Sequence, residues 1–143
     1  MIEVVAALIM HEDNRRFLLC QRPAHKARGG LWEFVGGKVE KGETKAQALV
    51  RECREELGIG LCAEEEMIDV THAYPDLTVH LTLIRARIES GSMTLFEHQD
   101  ARWVTAAELS SFELCPADAQ MVDLIRDRLQ ESIQEGCIDA SGE

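Results

Sequence analysis

The sequence predicts an α/β protein whose mixed β-sheet is sandwiched between α-helices. Two observations support this fold class. Apolar and β-branched runs are typical of buried strands, whereas residues 44–57 and 116–129 carry apolar side chains at helical spacing. Strands and helices do not follow a strict βαβ alternation, so a mixed sheet with helices on both faces is the simplest arrangement.

The N-terminal third is predicted to form strands. Ile2 to Ile9 is a nearly continuous apolar run, residues 11–14 (HEDN) form a turn, and a second strand follows from Arg16 to Gln21. A polar, glycine-bearing loop covers residues 23–30. The short apolar stretch 31–35 follows as a strand, and we expect Gly36 and Gly37 to break it.

A central helix is predicted between Thr44 and Leu57, with Gly58 as its C-terminal cap. Its apolar residues recur at i, i+3, i+4, i+7 and i+11, which is the stripe of one helix face. These residues are Ala46, Leu49, Val50, Cys53 and Leu57.

Further elements are predicted in the C-terminal half. The apolar positions alternate over 79–83 and then shift phase over 84–88, which indicates a β-bulge near Leu83. Another strand ends at Trp103-Val104, and residues 105–108 (TAAE) match a capping box that opens a short helix. Pro116 suits the first turn of a final helix. Its predicted apolar stripe consists of Met121, Leu124, Ile125 and Leu129.

Length and composition predict one domain. Of the 143 residues, 45% are hydrophobic and 29% are charged, so we assign residues 1–134 to a single domain and residues 135–143 to a flexible tail. The sequence has no apolar run long enough to span a membrane and no basic N-terminal region, so we expect a cytoplasmic protein with no membrane partner. The 5 cysteines are scattered and suggest neither a disulfide framework nor a zinc site.

The formal net charge of −11 argues against binding to polymeric nucleic acid, which depends on release of counterions from phosphates. Small anionic substrates remain possible if divalent cations lie between the carboxylates of the protein and the phosphates of the ligand. The oligomeric state is left open by the sequence.

An acidic patch lies on the central helix. Glu52, Glu55 and Glu56 are spaced at i, i+3 and i+4, so their carboxylates share one face. Oxygen ligands favour Mg²⁺, or Mn²⁺ as a substitute, over zinc. A salt bridge from Arg51 to Glu55 or to Glu43 could hold these acids in place. Taken alone, the same pattern is typical of a solvated acidic helix face.

The flanking residues extend this pattern into a longer motif. The segment from Gly37 to Ile59 fits G-x5-E-x7-R-E-U-x-E-E-x-G-U at every defined position, where U is a bulky apolar residue and Cys53 is the least typical choice. The sequence therefore resembles the Nudix hydrolase family. Further segments resemble its MutT-like nucleoside triphosphate pyrophosphohydrolases, especially the CTP pyrophosphohydrolase branch. They are residues 2–7, 21–24, 30–34, 97–99 and 116–118.

The resemblance implies a Nudix fold and a set of site residues. Metal ligands would be the Gly36 carbonyl and the carboxylates of Glu52, Glu55, Glu56 and Glu97. Glu52 is the favoured general base, and the catalytic group as a whole comprises Glu52, Glu55, Glu56 and Arg51. Gly37, Glu43 and Gly58 are expected to be structural parts of the motif.

The resemblance also implies substrate contacts. Arg22 and Lys38 would contact phosphates, Phe34 would line the base pocket, and Asp118 would read the edge of the base. Alternative roles are a strand-end cation for Arg22, a loop acid for Glu97 and a helix N-terminal carboxylate for Asp118. Leu77 lies near the position where MutT has an arginine at the base, which favours a pyrimidine-tolerant pocket.

The implied reaction is hydrolysis of a (deoxy)nucleoside triphosphate to the monophosphate and pyrophosphate, and the implied purpose is removal of oxidised or modified nucleotides such as 8-oxo-dGTP or 5-substituted dCTP. One alternative is a Nudix hydrolase of a nucleotide sugar or a dinucleoside polyphosphate. Two others are a nucleotide-sensing Nudix module without catalysis, and an interaction protein whose acidic surface is only solvating.

Overall fold

The computed structural model describes residues 1–130. Its strands are β1 (Ile2–Ile9), β2 (Phe17–Gln21), β3 (Trp32–Glu33), β4 (Gly36–Lys38), β5 (Gly60–Ala73), β6 (Thr78–Ser90) and β7 (Asp100–Val104). Its helices are α1 (Lys45–Leu57), a 3₁₀ helix (Ala106–Ser111) and the short α2 (Pro116–Ala119), and residues 122–130 are also helical.

The predicted mixed sheet is present. It has four strands in the order β4-β1-β6-β5, in which β1 and β6 are parallel and the other neighbours are antiparallel. A second, antiparallel sheet with the order β3-β2-β7 was not anticipated from the sequence.

Helices cover both faces of the mixed sheet because successive residues of β1 face opposite sides. Val5, Ala7 and Ile9 pack in one core with the buried face of α1. Ala6, Leu8 and Met10 pack in the other core, which the 3₁₀ helix, α2 and residues 122–130 complete. Each large apolar side chain buried in these cores stabilises the fold by about 1.5–3 kcal/mol. This layering is the predicted sandwich.

Helix α1 begins after Thr44 and ends at Leu57, as predicted, and Gly58 is its C-terminal cap. The Thr44 hydroxyl accepts a hydrogen bond from the Gln47 amide, and the Gln47 side chain accepts one from the Thr44 amide. Gly58 ends the helix in the left-handed region with φ 69°. The predicted stripe is wrong at one position, because Ala46 in the first turn is exposed and Ala48 is buried instead.

Three other expectations about strands are corrected. The third strand is shorter than predicted, and Gly36 and Gly37 open strand β4 instead of only interrupting the chain. Strand β5, which carries a run of three glutamates, was not predicted. The bulge expected near Leu83 is present opposite Leu83 and Ile84, but its extra residues belong to β5, between Ala63 and Ile68, while β6 pairs with β1 without interruption. The phase shift in β6 arises because Leu83 and Ile84 each enter a different core.

The C-terminal helix is also interrupted. A turn at Gln120 and Met121 separates α2 from residues 122–130, and Leu124 is 44% exposed instead of buried. Met121, Ile125 and Leu129 are buried as predicted. The predicted tail, residues 135–143, lies outside the described residues. No helix within residues 1–130 combines the length and apolarity needed to span a membrane.

Candidate active site

Arg51 organises the acidic face of α1. Its Nε and Nη2 donate to the two carboxylate oxygens of Glu43, at 2.7 and 2.9 Å. Its Nη1 donates to Glu52 at 2.8 Å and to Glu55 at 3.4 Å, and its Nη2 also donates to the Lys38 carbonyl at 3.0 Å. Both salt bridges considered from the sequence are therefore present, and one guanidinium joins the acidic helix to the end of β4.

Glu43 lies just before α1 and is held mainly by Arg51 of that helix. Besides the Arg51 guanidinium, the Glu40 amide donates to its carboxylate at 2.9 Å. The side-chain hydrogen bond from Arg51 is the larger cause that lowers the pKa of Glu43 to about 2. Glu43 thus remains ionised and fixes the position of Arg51.

The double glycine brings two backbones close together. A Cβ atom on Gly36 would lie 1.9 Å from the Val5 carbonyl oxygen of β1, and one on Gly37 would lie 2.4 Å from the carboxyl carbon of Glu52. A side chain at either position would displace a neighbour. The two glycines therefore allow β4 to pack against both β1 and the Glu52 carboxylate.

Two of the helix acids are partly desolvated. Burial raises the pKa of Glu52, while Arg51 opposes that shift. Burial, followed by the charges of Glu52, Glu33 and Glu97, raises the pKa of Glu56 to about 8. Glu56 Oε2 is buried and has no hydrogen-bond partner within residues 1–130. By contrast, the Glu55 side chain is 59% exposed.

Glu97 lies on the loop between β6 and β7. Its carboxylate accepts a hydrogen bond from Lys26 at 3.2 Å, which is the main cause that lowers its pKa. The Thr94 and Phe96 amides donate to the Leu57 and Glu56 carbonyls at 2.8 and 3.2 Å. The loop is therefore attached to the last turn of α1, and Glu97 is close enough for its charge to raise the pKa of Glu56.

These residues fit a divalent cation. In the part of the chain that the structure describes, no three acidic, histidine or cysteine side chains already surround one point. Arg51 and Lys26 occupy the carboxylates instead. A divalent cation requires oxygen ligands and negative charge. The unpartnered Glu56 oxygen and the neighbouring carboxylates supply both.

A cleft runs from this acidic cluster to the core that contains Ala6, Leu8 and Met10. It encloses about 640 Å³ including its open mouth. Gly36, Gly37 and Glu56 line one part of it, and Phe34 and Asp118 line another. The cleft thus brings Glu56 close to the residues predicted for the base pocket, whereas Glu52, Glu55 and Glu97 do not line it.

The part lined by Phe34 and Asp118 is largely buried. The Phe34 amide donates to Asp118 Oδ1 at 3.1 Å, and Asp118 is 6% exposed. Burial is the main cause that raises the pKa of Asp118 to about 8, and the charge of Glu33 adds to it. Asp118 is in the first turn of α2, as its alternative role required, but it also faces the cleft.

Arg22 lines the cleft through a network that the sequence did not reveal. Its Nη1 donates to Glu33 at 3.0 Å, and its Nε donates to the Ala27 carbonyl at 3.0 Å. The other Glu33 oxygen lies 3.1 Å from Nε2 of the buried His98. Glu33 belongs to the same cleft but was overlooked as a site residue, because a single acid in a two-residue strand has no recognisable spacing.

Three further results concern predicted and unpredicted residues. Lys38 ends β4, is exposed and does not line the cleft, so only its carbonyl joins the Arg51 network. Arg28 and Tyr74 do line the cleft, although neither was singled out from the sequence. Leu77 lies in the β5–β6 turn, where its carbonyl accepts a hydrogen bond from Tyr74 at 2.7 Å.

Comparisons with known proteins agree with this geometry. A family model described as the NUDIX domain matches residues 5–124. The CTP pyrophosphohydrolase of Escherichia coli (strain K12) is 42% identical over 123 residues, which cover 86% of this chain and 90% of that protein. The 8-oxo-dGTP diphosphatase of the same organism is 30% identical over 85% of this chain and 93% of that protein. The solution structure of the E. coli ORF135 protein superposes with a TM-score of 0.76 at 39% identity and covers 89% of each chain.

Proposed function

The chain belongs to the Nudix hydrolase family, and on that premise we propose that it hydrolyses a nucleoside triphosphate to the monophosphate and pyrophosphate. The observation that carries the proposal is the cleft, which joins Glu56 of α1 and the double glycine to a buried end lined by Phe34 and Asp118. A diphosphate group and a nucleobase are the two parts of a ligand that such ends accommodate. Relatives named for CTP and 8-oxo-dGTP support the same substrate class.

In the proposed reaction, a water oxygen bonds to a phosphorus of the phosphoanhydride and the bridging P–O bond breaks, so that the monophosphate and pyrophosphate are released. Glu52 accepts the proton of the water, and its partial burial beside Arg51 favours a positioned base. A divalent cation, Mg²⁺ or Mn²⁺, would supply neutralisation of the charge on the phosphates when bound by Glu52, Glu55, Glu56, Glu97 and the Gly36 carbonyl.

Arg51 positions these groups. Its bidentate bond to Glu43 leaves Nη1 to orient Glu52 and Glu55. We assign Arg22 to the phosphates of the substrate, because it lines the cleft beside Glu33. The same assignment was expected for Lys38, but the exposed side chain at the end of β4 gives it less support.

The substrate is expected to be a modified nucleotide, such as 8-oxo-dGTP or a 5-substituted dCTP. Hydrolysis of a nucleotide sugar or a dinucleoside polyphosphate is the alternative within the family. A sensing module without catalysis is disfavoured because every carboxylate of the motif is present in the sequence.

The test is an analysis of the products that the protein forms with Mg²⁺ from canonical, oxidised and 5-substituted dNTPs. ADP-ribose and a dinucleoside polyphosphate are tested in parallel as substrates of the alternative reaction. We expect monophosphate and pyrophosphate from a small number of dNTPs, and a loss of roughly 10²-fold or more in kcat for Glu56→Gln. Glu65→Gln is the matched control, because Glu65 is exposed in β5 and outside the cleft. Turnover of only the diphosphate-linked compounds would move the assignment to the alternative.

A further inference from the structure

Arg28 is held in an unusual way at the cleft. Its backbone φ is 58°, in the left-handed region that few residues other than glycine and asparagine adopt. Its guanidinium carbon lies 4.2 Å from the centroid of the Tyr74 ring, and its Nη1 donates to Asp76 at 3.2 Å. Strain of this kind persists where the surrounding contacts fix the residue, and it concentrates at ligand sites.

Tyr74 extends this contact to the buried end of the cleft. Its hydroxyl accepts a hydrogen bond from the Ala117 amide at 3.0 Å, and Ala117 precedes Asp118. The loop of residues 23–30, the β5–β6 turn and α2 therefore meet at one place. Arg28, Tyr74, Ala117 and Asp118 all line the cleft there.

The hydrogen bonds of Arg28 leave part of its guanidinium available. Within residues 1–130, Nη1 bonds to Asp76, while neither Nε nor Nη2 donates a hydrogen bond. Arg22, the other arginine that lines the cleft, already donates to Glu33 and to the Ala27 carbonyl. The guanidinium thus lies over an aromatic ring in a concave site and still has unused N–H donors. Such a group is suited to recognise a hydrogen-bond acceptor of a ligand.

We propose that Arg28 is a specificity-determining residue, which donates to a carbonyl oxygen of the nucleobase and so selects guanine or cytosine bases and their derivatives over adenine. The inference rests on the proposed function. Guanine carries the carbonyl oxygen O6 and cytosine the carbonyl oxygen O2, whereas adenine has no carbonyl oxygen. Leu77, in the adjacent turn, has no donor in its side chain, whereas Arg28 lines the cleft.

The first test compares kcat/KM for dGTP, dCTP and dATP in the full chain. Arg28→Asn removes the guanidinium and keeps a residue that tolerates the left-handed backbone. We expect kcat/KM for dGTP and dCTP to fall roughly 10- to 100-fold, mainly through KM, and that for dATP to change less than about 3-fold. Arg28→Lys keeps the charge but loses the planar fork, so it should restore only part of the selectivity.

The matched control is Arg102→Asn. Arg102 also lies over an aromatic ring, at 5.8 Å from the Trp32 centroid, and pairs with an acid, but it is outside the cleft. It should leave the preference among bases unchanged. An equal fall for all three nucleotides in Arg28→Asn would assign Arg28 to the phosphates and overturn the inference, as would unchanged ratios.

A binding experiment separates failure of this inference from failure of the proposed function. The chain has 1 tyrosine, so a protein labelled with 3-fluorotyrosine gives a single ¹⁹F signal from Tyr74. Titration with dGMP or dCMP should move this signal, pyrophosphate alone should not, and Arg28→Asn should weaken the response at least 10-fold in apparent affinity. A signal that dGMP and dCMP leave unmoved would overturn the inference. This readout remains informative even if no triphosphate is hydrolysed.

Discussion

A Cβ atom on Gly37 would lie 2.4 Å from the carboxyl carbon of Glu52. The neighbouring Gly36 faces the β1 backbone instead, so two adjacent glycines have different reasons for lacking a side chain. Alanine at Gly37 should therefore mainly reduce activity, whereas alanine at Gly36 should mainly reduce stability.

We expect Gly37→Ala to reduce kcat roughly 10²-fold while it lowers the free energy of unfolding by less than about 1 kcal/mol, because the Glu52 side chain can turn away but then loses its position. Gly36→Ala should lower the free energy of unfolding by about 1–3 kcal/mol, since the Val5 carbonyl cannot move without distorting β1. Denaturant titration and steady-state kinetics measure the two effects. Equal losses of stability in both variants would contradict this account.

The ion pair of Glu43 and Arg51 should appear in the acid stability of the protein. The pKa of Glu43 is lowered to about 2, below that of an unfolded glutamate, so its contribution is present above about pH 4.5 and is lost as the pH falls towards 2. Glu43→Gln should therefore lose stability at pH 6 and change little at pH 2. Denaturation midpoints of the two proteins at several pH values test this, and a constant difference across the range would contradict it.

Glu56 should have the opposite effect on the pH dependence of stability. Its pKa of about 8 means that the folded protein keeps the proton while an unfolded chain loses it above about pH 4.5. Its contribution is therefore present below pH 4.5 and falls as the pH rises towards 8, by at most about 1.4 kcal/mol per pH unit. Without metal, Glu56→Gln should be more stable than the natural protein at pH 8. Its free energy of unfolding should also fall less steeply as the pH rises.

Metal addition provides the complementary measurement for Glu56. An ion that binds the carboxylate must displace the proton, so Mg²⁺ should bind more tightly at pH 8 than at pH 6.5 and should release protons in calorimetry. Glu65→Gln, which changes an exposed acid, should keep both behaviours. Proton release that is undiminished in Glu56→Gln would exclude Glu56 as its source.

Asp118 should tolerate an isosteric amide better than a truncation. Asp118→Asn keeps an oxygen that can accept the Phe34 amide, whereas Asp118→Ala leaves that buried donor unpaired at a cost of about 1–3 kcal/mol. The two unfolding free energies at pH 6, where the natural carboxyl is protonated, make the comparison direct. A difference below about 0.5 kcal/mol between the variants would show that the hydrogen bond contributes little.

The sequence predicted helix α1 and its acids because every interaction that defines them is local. Thr44, Gly58 and the spacing of Glu52, Glu55 and Glu56 lie within one short segment. Arg28 and Tyr74, at the buried end of the cleft, escaped prediction because their contacts are distant in sequence, as in the pair of Arg28 and Asp76. A pattern of residue types carries no signal for such pairs.

Strand β5 escaped prediction for another reason. Its irregular pairing breaks the alternation of apolar residues, and Glu64, Glu65 and Glu66 occupy an exposed stretch of the strand. The backbone hydrogen bonds with β6 define the strand where the side chains do not. The apolar phase in β6 shifts because both faces of that strand are buried, and the irregular pairing opposite Leu83 has its extra residues in β5.

The parallel pair of β1 and β6 has a consequence for the order of folding. Val5 pairs with Thr82, so the central strand of the mixed sheet meets its parallel neighbour only after most of the domain has been synthesised. Closing such a distant contact requires a large loss of chain entropy before any burial is gained, which slows folding in comparison with helical domains of similar size. During synthesis, β1 presents an apolar edge that has no parallel neighbour until β6 has been made, and this interval is when the chain is most prone to aggregation.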